Sequence, residues 1–248
     1  MFRSVSLHRS VRIDDSLWAY LWAGMGNNCN TSLFPNVLDG DRPHVIVDPG
    51  MVMDEVGELC FESLIAAMEK DGFNAKDIGL IINTHGHPDH CDANAAILEL
   101  GADPNRSRIE VAMSQEDNDH RKGAGNLYAM FGIDPPQFEP TFYLTDGDLK
   151  LGKLNFRVIH APGHTPGSMC LYWVDHKVLI PGDVIFFGSV GRTDFPGGNT
   201  SLLKQSIEKL SQFDIELVIA GHSTEYGAIV QGKDIVQRNF DAVKSIFW

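Results

Sequence analysis

Residues 85–90 read His85-Gly86-His87-Pro88-Asp89-His90 and closely follow the apolar run Ile78 to Ile82. The stretch concentrates three imidazoles and a carboxylate, which are donors that divalent ions such as zinc accept. Alternate side chains of an extended segment project to the same side, so His85 and His87 can bind one ion together. The chain turns at Pro88, and a short helix expected from Asp89 to Leu100 lets Asp89 and His90 face a second ion. An isolated histidine is usually a packing or surface residue, but three within six residues predict a metal site.

Further candidate ligands stand at the ends of later apolar runs. His164 lies in the loop Ala161-Pro162-Gly163-His164-Thr165-Pro166-Gly167-Ser168, where two Gly and two Pro predict a sharp turn. Asp183 follows the short strand predicted at Val178 to Ile180, and its two oxygens can bridge two cations. His222 follows the run Leu217 to Ala220. The alternatives are a turn cap for Asp183 and a structural role for His222, but strand ends on one side of a sheet are where α/β proteins place ligands.

The ordered set His85, His87, Asp89, His90, His164, Asp183 and His222 resembles the ligand set of the metallo-β-lactamase superfamily. This resemblance implies an α/β fold, a four-layer αββα sandwich with the metals in a cleft at its edge. It also implies that His85, His87 and His164 hold one metal and that Asp89, His90 and His222 hold a second. Asp183 and a water molecule would bridge the two ions.

The implied chemistry is hydrolysis by a hydroxide held between two divalent metal ions. Asp89 and Asp183 are the candidate catalytic residues. The charges of two dications, these two carboxylates and one hydroxide sum to about one positive unit, and a positive site favours an oxyanion. Metal binding lowers the pKa of water from 15.7 toward about 7, so no Ser or Cys nucleophile is needed. The expected substrate is a thioester, or a related ester or lactone. Zinc is the expected metal, with iron or manganese open.

The segment Gly191-Arg192-Thr193-Asp194-Phe195-Pro196-Gly197-Gly198 resembles the glyoxalase II and persulfide dioxygenase branch. In glyoxalase II a basic residue at the position of Arg192 helps to hold a glutathione carboxylate, so Arg192 is a candidate substrate anchor. The alternative is a surface ion pair with Asp194. Asp194 replaces an aromatic residue usual in glyoxalase II, and the extra helical domain of that family is not expected here. The small-molecule substrate is therefore a glutathione conjugate or another thiol conjugate.

Three other functions compete with thioester hydrolysis. A persulfide dioxygenase has the same turn but binds a single iron through the equivalents of His85, His164 and Asp183, so metal stoichiometry discriminates the two. A nuclease is disfavoured because 20 Lys and Arg against 33 Asp and Glu give a net charge of −13, which repels nucleic acid. A nonenzymatic metal-binding module is the third alternative.

The composition favours one metallo-β-lactamase-like domain over residues 1–248, since 248 residues with 43% hydrophobic content can bury a large core. We expect a lid or insertion at 116–140, where several Gly and Pro interrupt the pattern; a self-packed excursion or oligomer contact is the alternative. Four separated cysteines predict neither disulfides nor a zinc knuckle and favour the cytoplasm. Neither a signal peptide nor a membrane span is expected. The oligomeric state is open.

The apolar runs predict ten strands with helices between and after them. Helices are expected at Glu55 to Lys70, closed by Gly72, at Thr200 to Leu210 and at Asp234 to Phe247. Strands are expected at Leu17 to Trp22, Thr31 to Phe34, Val45 to Asp48, Ile78 to Thr84, Ile109 to Met113, Phe142 to Leu144, Phe156 to Ile159, Met169 to Val174, Val178 to Ile180 and Leu217 to Ala220. Each half of the chain is thus predicted to supply a sheet with helices outside it.

Overall fold

A computed structural model describes residues 7–132 and 134–247 of the chain. These residues form two compact units, which are described in turn. The first unit contains residues 7–83, 87–112 and 127–142 apart from 133, and the second contains 84–86, 113–126 and 143–247. The helices are α1 (Cys60–Lys70), α2 (Pro88–Cys91), α3 (Asn94–Leu100), α4 (Gln115–Lys122), α5 (Leu127–Phe131), α6 (Thr200–Leu210) and α7 (Lys233–Phe247).

The first sheet has seven strands that follow the order of the chain. They are β1 (His8–Arg12), β2 (Trp18–Trp22), β3 (Thr31–Phe34), β4 (His44–Val47), β5 (Ile78–Ile82), β6 (Glu110–Ser114) and β7 (Phe142–Leu144). Strands β1 to β4 pair antiparallel, whereas β4, β5 and β6 pair parallel. Every residue of β3, β4 and β5 is buried, as expected of strands whose two faces are both covered. The parallel strand β5 leads directly into the histidine-rich turn.

The second sheet has six strands and is also mixed. They are β8 (Gly147–Leu151), β9 (Leu154–His160), β10 (Met169–Trp173), β11 (Val178–Ile180), β12 (Leu217–Thr224) and β13 (Gly227–Gln231). Only β11 and β12 pair parallel. Apolar side chains of α6 and α7, among them Ile207, Leu210 and Phe240, pack with those of β9 to β13 in one core. The ends of β9, β11 and the apolar part of β12 carry the later candidate ligands.

The ten predicted strands are present, with ends that differ by at most a few residues. Three further strands, β1, β8 and β13, were not predicted. β8 alternates half-buried and exposed positions as an edge strand, so its sequence Gly-Asp-Leu-Lys-Leu carries little apolar signal. β13 forms an antiparallel hairpin with β12, and the register of this pairing shifts between Ile219 and Thr224.

Two helix predictions were wrong at their boundaries. The helix expected from Glu55 begins only at Cys60, because Asp54 Oδ1 accepts hydrogen bonds from the amides of Val56 and Glu58 and Gly57 has a φ of +86°. The expected helix Asp89 to Leu100 is divided into α2 and α3. Gly72, with a φ of +91°, follows the end of α1 as predicted.

The segment 116–140 is not a continuous loop. Helix α4 already begins at Gln115, where the Ser114 side chain accepts a hydrogen bond from the amide of Asp117, and α5 follows a short turn. Leu127, Tyr128 and Phe138 are buried, whereas Met130 is 55% exposed. A lid function for this segment stays a prediction. Among the described residues, no helix combines the length and apolar character that crossing a membrane requires.

Candidate metal centre

The second unit brings together four of the predicted ligands: His85, His164, Asp183 and His222. The Nε2 atoms of His164 and His222 lie 3.5 Å and 3.4 Å from the same carboxylate oxygen, Asp183 Oδ2. The His85 and His164 rings meet edge to face with centroids 4.8 Å apart, and one nitrogen of His85 lies within 4.8 Å of an Asp183 oxygen. Four residues that are distant in sequence thus present nitrogen and oxygen donors to a common point.

The orientation of His164 is fixed by a hydrogen bond behind the ring. Its Nδ1 atom lies 2.7 Å from the carbonyl oxygen of Arg192. A carbonyl only accepts, so Nδ1 carries the proton and Nε2 is the ligand atom. His85 Nδ1 lies 3.1 Å from Thr84 Oγ1, a hydroxyl that can donate or accept. The tautomer that a metal requires is therefore fixed at His164, and the Thr84 contact orients the His85 ring.

Two glycines allow the backbone to approach Asp183 closely. A Cβ atom on Gly191 would lie 1.8 Å from the Asp183 carbonyl oxygen, and one on Gly221 would lie 2.3 Å from Asp183 Oδ1. Neither distance is compatible with a side chain, so these two positions require glycine. The close packing limits the positions that the Asp183 carboxylate can adopt.

The first unit holds the other three predicted ligands, His87, Asp89 and His90, in and beside the first turn of α2. His87 precedes the helix, and Pro88 occupies its first position, where the missing amide proton is not needed. Asp89 and His90 offer ligand atoms within 4.8 Å of each other. His87 and His90 are buried and Asp89 is half-buried. The local sequence therefore brings Asp89 and His90 together, with His87 at the start of the same turn.

Side chains from neighbouring loops support this turn. Asn27 Nδ2 donates a 2.8 Å hydrogen bond to Asp89 Oδ2, and His90 Nδ1 lies 3.0 Å from Asp48 Oδ2. The pair of His90 and Asp48 is buried, so its electrostatic interaction is little screened by water. Asp48 has a φ of +52°, which aspartate tolerates. Asp48 stands at the end of a predicted strand, whereas nothing in the sequence singles out Asn27.

Arg192 lies at the rim of the second unit and is engaged by its neighbours. Its Nε and Nη2 atoms donate to the two oxygens of Asp194 at 2.7 Å and 2.5 Å, and its guanidinium lies 3.8 Å from the centroid of the Phe195 ring. The ion pair lowers the pKa of Asp194 to about 2 and raises that of Arg192. The structure thus contains the surface pair considered as the alternative, and the anchor role of Arg192 stays a prediction.

Asp117, which the sequence reasoning overlooked, is buried beside two of the ligand loops. Burial raises the pKa of its carboxyl group, and hydrogen bonds from Thr165, Gly86 and Gly167 oppose that rise. The available sequence signal was the spacing Ser114-x-x-Asp117, which is typical of a helix start. This signal is masked because the glycines and prolines of 116–140 indicate a lid or insertion.

The donor set fits divalent metal ions. Ligand atoms about 2.1 Å from a tetrahedral zinc ion lie about 3.4 Å apart. The 3.4 Å and 3.5 Å separations between Asp183 Oδ2 and the two imidazole nitrogens match that spacing. The seven predicted ligands are all imidazoles or carboxylates, which suit zinc, iron or manganese. The second unit supplies four of them and the first unit supplies three.

Comparison with known proteins identifies the family. The model of the metallo-β-lactamase superfamily matches residues 29–222. Hydroxyacylglutathione hydrolase GloC of Haemophilus influenzae is 32% identical over 205 residues, which are 79% of this chain and 87% of that protein. The human acyl-coenzyme A thioesterase MBLAC2 is 28% identical over 221 residues, 82% of this chain and 76% of that protein.

Among solved structures, TTHA1623 in a di-iron-bound form superposes with a TM-score of 0.63 at 26% identity and covers 87% of this chain and 98% of its own. The predicted αββα sandwich, with two mixed sheets flanked by helices, is confirmed by these matches. The predicted metal-dependent hydrolase class also agrees with them. The chain belongs to the metallo-β-lactamase superfamily.

Proposed function

We propose that this protein is a thioester hydrolase that uses two divalent metal ions in one centre. His85, His87 and His164 would hold one ion, and Asp89, His90 and His222 the other, with Asp183 shared between them. The donors of the second unit and those of the first unit are connected through the chain, because only Gly86 separates His85 from His87. The family match spans all seven residues.

The position of Asp183 Oδ2 carries the proposal of a shared centre. It lies within 3.5 Å of one imidazole from each proposed ligand triad, His164 and His222. A structural ion pair would need only one such partner. A carboxylate beside two imidazoles that are oriented by other contacts is the arrangement expected of a bridging ligand.

The ions, when bound, would supply hydroxide near neutral pH and a positive field for an oxyanion. The protein fixes His164 in the ligand tautomer and excludes water by burying His85, His87, His90 and His164. Both the GloC and MBLAC2 relatives carry names that denote thioester cleavage. Their agreement supports a thioester over the ester and lactone alternatives.

A cavity of about 250 Å³ in the second unit suits an anionic group of the thiol carrier. Arg192, Lys204 and Thr200 line it, and Gly191, which packs against Asp183, belongs to its wall. The side chains of Arg192 and Asp194 are more than half exposed, so a substrate anion can reach Arg192 and compete with Asp194 for it. We propose that Arg192 contacts the carrier, as a carboxylate of glutathione or a phosphate of coenzyme A.

Two exposed apolar segments in the first unit suit the acyl group. Met25, Met53 and Val56 are 89%, 52% and 56% exposed. The amides of Met25 and Asn27 donate to Glu58 and Glu55, which joins the segments, and the Asn27 side chain is bonded to Asp89. Apolar side chains exposed together often mark a binding surface. We propose that acyl groups longer than acetyl are preferred.

The test compares metal-free protein with protein loaded with zinc, iron or manganese on acyl-glutathione and acyl-coenzyme A thioesters of increasing chain length. We expect two metals per chain and hydrolysis that requires them. One iron per chain with oxygen consumption on glutathione persulfide would establish the dioxygenase alternative instead. A metal-loaded protein that turns over none of these substrates would favour the nonenzymatic module.

We also propose that the protein works in the cytoplasm. All four cysteines are buried thiols, which is consistent with a reducing compartment. Fractionation of the source cells tests the location.

A further inference from the structure

Asp117 occupies the first turn of α4 and is almost completely enclosed. Its residue surface is 1% exposed, and its amide donates to the side chain of Ser114, which begins the helix. A carboxylate buried to this extent requires partners, because removing its charge from water is costly. The identity of these partners determines what the residue does.

The two carboxylate oxygens of Asp117 connect two separate ligand loops. Oδ2 accepts from the amide of Gly86 at 2.8 Å and from Thr165 Oγ1 at 2.9 Å, and Oδ1 accepts from the amide of Gly167 at 2.8 Å. Gly86 lies between His85 and His87, and Thr165 directly follows His164. One side chain thus joins the loops that carry three of the proposed ligands.

The contact between α4 and the His164 loop leaves little freedom for movement. Ser114 Oγ donates to the carbonyl of Gly167 at 2.7 Å, and a Cβ atom on Gly167 would lie 2.3 Å from Ser114 Oγ and 2.5 Å from the Asp117 amide nitrogen. Thr165 Oγ1 is also 2.6 Å from Ser168 Oγ within the same loop. The helix start therefore fixes the loop by close packing as well as by hydrogen bonds.

We propose that Asp117 is a positioning residue that sets the spacing of His85 and His164 for metal binding. This role rests on the proposed metal centre, but not on the substrate. Asp117 acts through the amides of Gly86 and Gly167 and the hydroxyl of Thr165, which lie in the loops that carry the two imidazoles. Preorganised ligands bind metal more tightly because less ordering is required at binding, and supporting residues of this kind typically contribute 10- to 100-fold in affinity.

The test measures zinc alone, by chelator competition and metal analysis, on Asp117→Ala and Asp117→Asn. We expect Asp117→Ala to weaken zinc binding by about 10- to 100-fold and to change the absorption spectrum of the cobalt-substituted protein. Asn keeps one acceptor oxygen, so Asp117→Asn should retain part of the affinity. Thr165→Val, which removes one donor to the carboxylate, should show a smaller loss and provides a second variant if Asp117→Ala does not fold.

Ser63→Ala is the matched control. Ser63 is buried in the first unit, and its Oγ contacts the amides of Leu7 and His8 and the His8 ring at 2.7 to 3.1 Å. This variant should lower the melting temperature while zinc affinity stays at the wild-type value.

Asp117 variants that melt at lower temperature but bind zinc with wild-type affinity and an unchanged cobalt spectrum would overturn the positioning role. A wild-type protein that binds zinc but cleaves no thioester would overturn only the proposed activity. A wild-type protein that binds no metal would overturn both.

Discussion

The two donor groups are built in opposite ways. In the first unit His87, Asp89 and His90 come from one turn and are supported by the side chains of Asn27 and Asp48. In the second unit the donors come from four separate segments of the chain and are held by a backbone contact and by glycines at 191 and 221. We call His87, Asp89 and His90 the local group, and His85, His164, Asp183 and His222 the dispersed group. Metal binding by the local group should therefore be sensitive to loss of the supporting side chains. Metal binding by the dispersed group should be sensitive to any added atom.

The largest effect should come from Asp183, the residue shared between the proposed ligand triads. We expect Asp183→Ala to lose both metals and to reduce thioester hydrolysis by roughly a thousandfold or more, because several kcal/mol of charge stabilisation disappear. Asp89→Ala removes a donor of the local group and should lose one metal. Metal analysis of the two variants, with Asp175→Ala as an exposed control, tests this asymmetry; equal metal loss would contradict it.

Gly221→Ala should damage the dispersed group without removing a ligand. The added methyl would meet Asp183 Oδ1 and, at 2.9 Å, the Gly182 carbonyl oxygen. Overpacking of this kind typically costs about 1–3 kcal/mol, and here it should also displace the carboxylate and lower metal content. Ser245→Ala, at an exposed position of α7, is the control for thermal melting and metal analysis. Matching results for the two variants would refute the steric explanation.

Asp48→Asn tests the support of the local group. Asparagine tolerates the positive φ at this position, but it lacks the charge that pairs with His90. We expect affinity for the second metal to fall by about 10- to 100-fold while the first is retained. Titration with zinc measures the two affinities separately, and loss of both metals together would argue that the groups are not independent.

The smallest effect concerns acid stability of the first unit, where burial lowers the pKa of His8 to about 4. The unfolded chain binds this proton at higher pH than the folded chain, so stability is present above about pH 6.5 and is lost as the pH falls toward 4. At pH 5.5 the loss should be roughly 1 kcal/mol. His8→Gln should remove this part of the pH dependence in urea unfolding.

His176→Gln is the control for this measurement, because His176 is exposed in the second unit. Its pH dependence should follow that of the wild type. If His8→Gln also followed the wild type, His8 would not be a source of the acid sensitivity.

The sequence was sufficient to predict the candidate ligands and their chemistry. It was less informative about the residues and strands that surround them. The buried strands were evident from apolar runs, and the seven candidate ligands from a motif and from the ends of such runs. Edge strands β1 and β8 carry too little apolar character to be recognised in this way, and the apolar part of β13 is only three residues long. Asn27 and Asp117 act on positions 62 and 31 residues away, and such contacts depend on how loops meet in three dimensions.

The reactivity of the buried cysteines can be used to measure local opening of the structure. Cys29, Cys60 and Cys91 belong to the first unit and Cys170 to the second, and none is more than 1% exposed. Burial raises the pKa of the Cys60 thiol to about 12 and also raises that of Cys170, so neither reacts appreciably while enclosed. The rate at which a thiol reagent modifies each one therefore measures how often its surroundings open, separately for the two units.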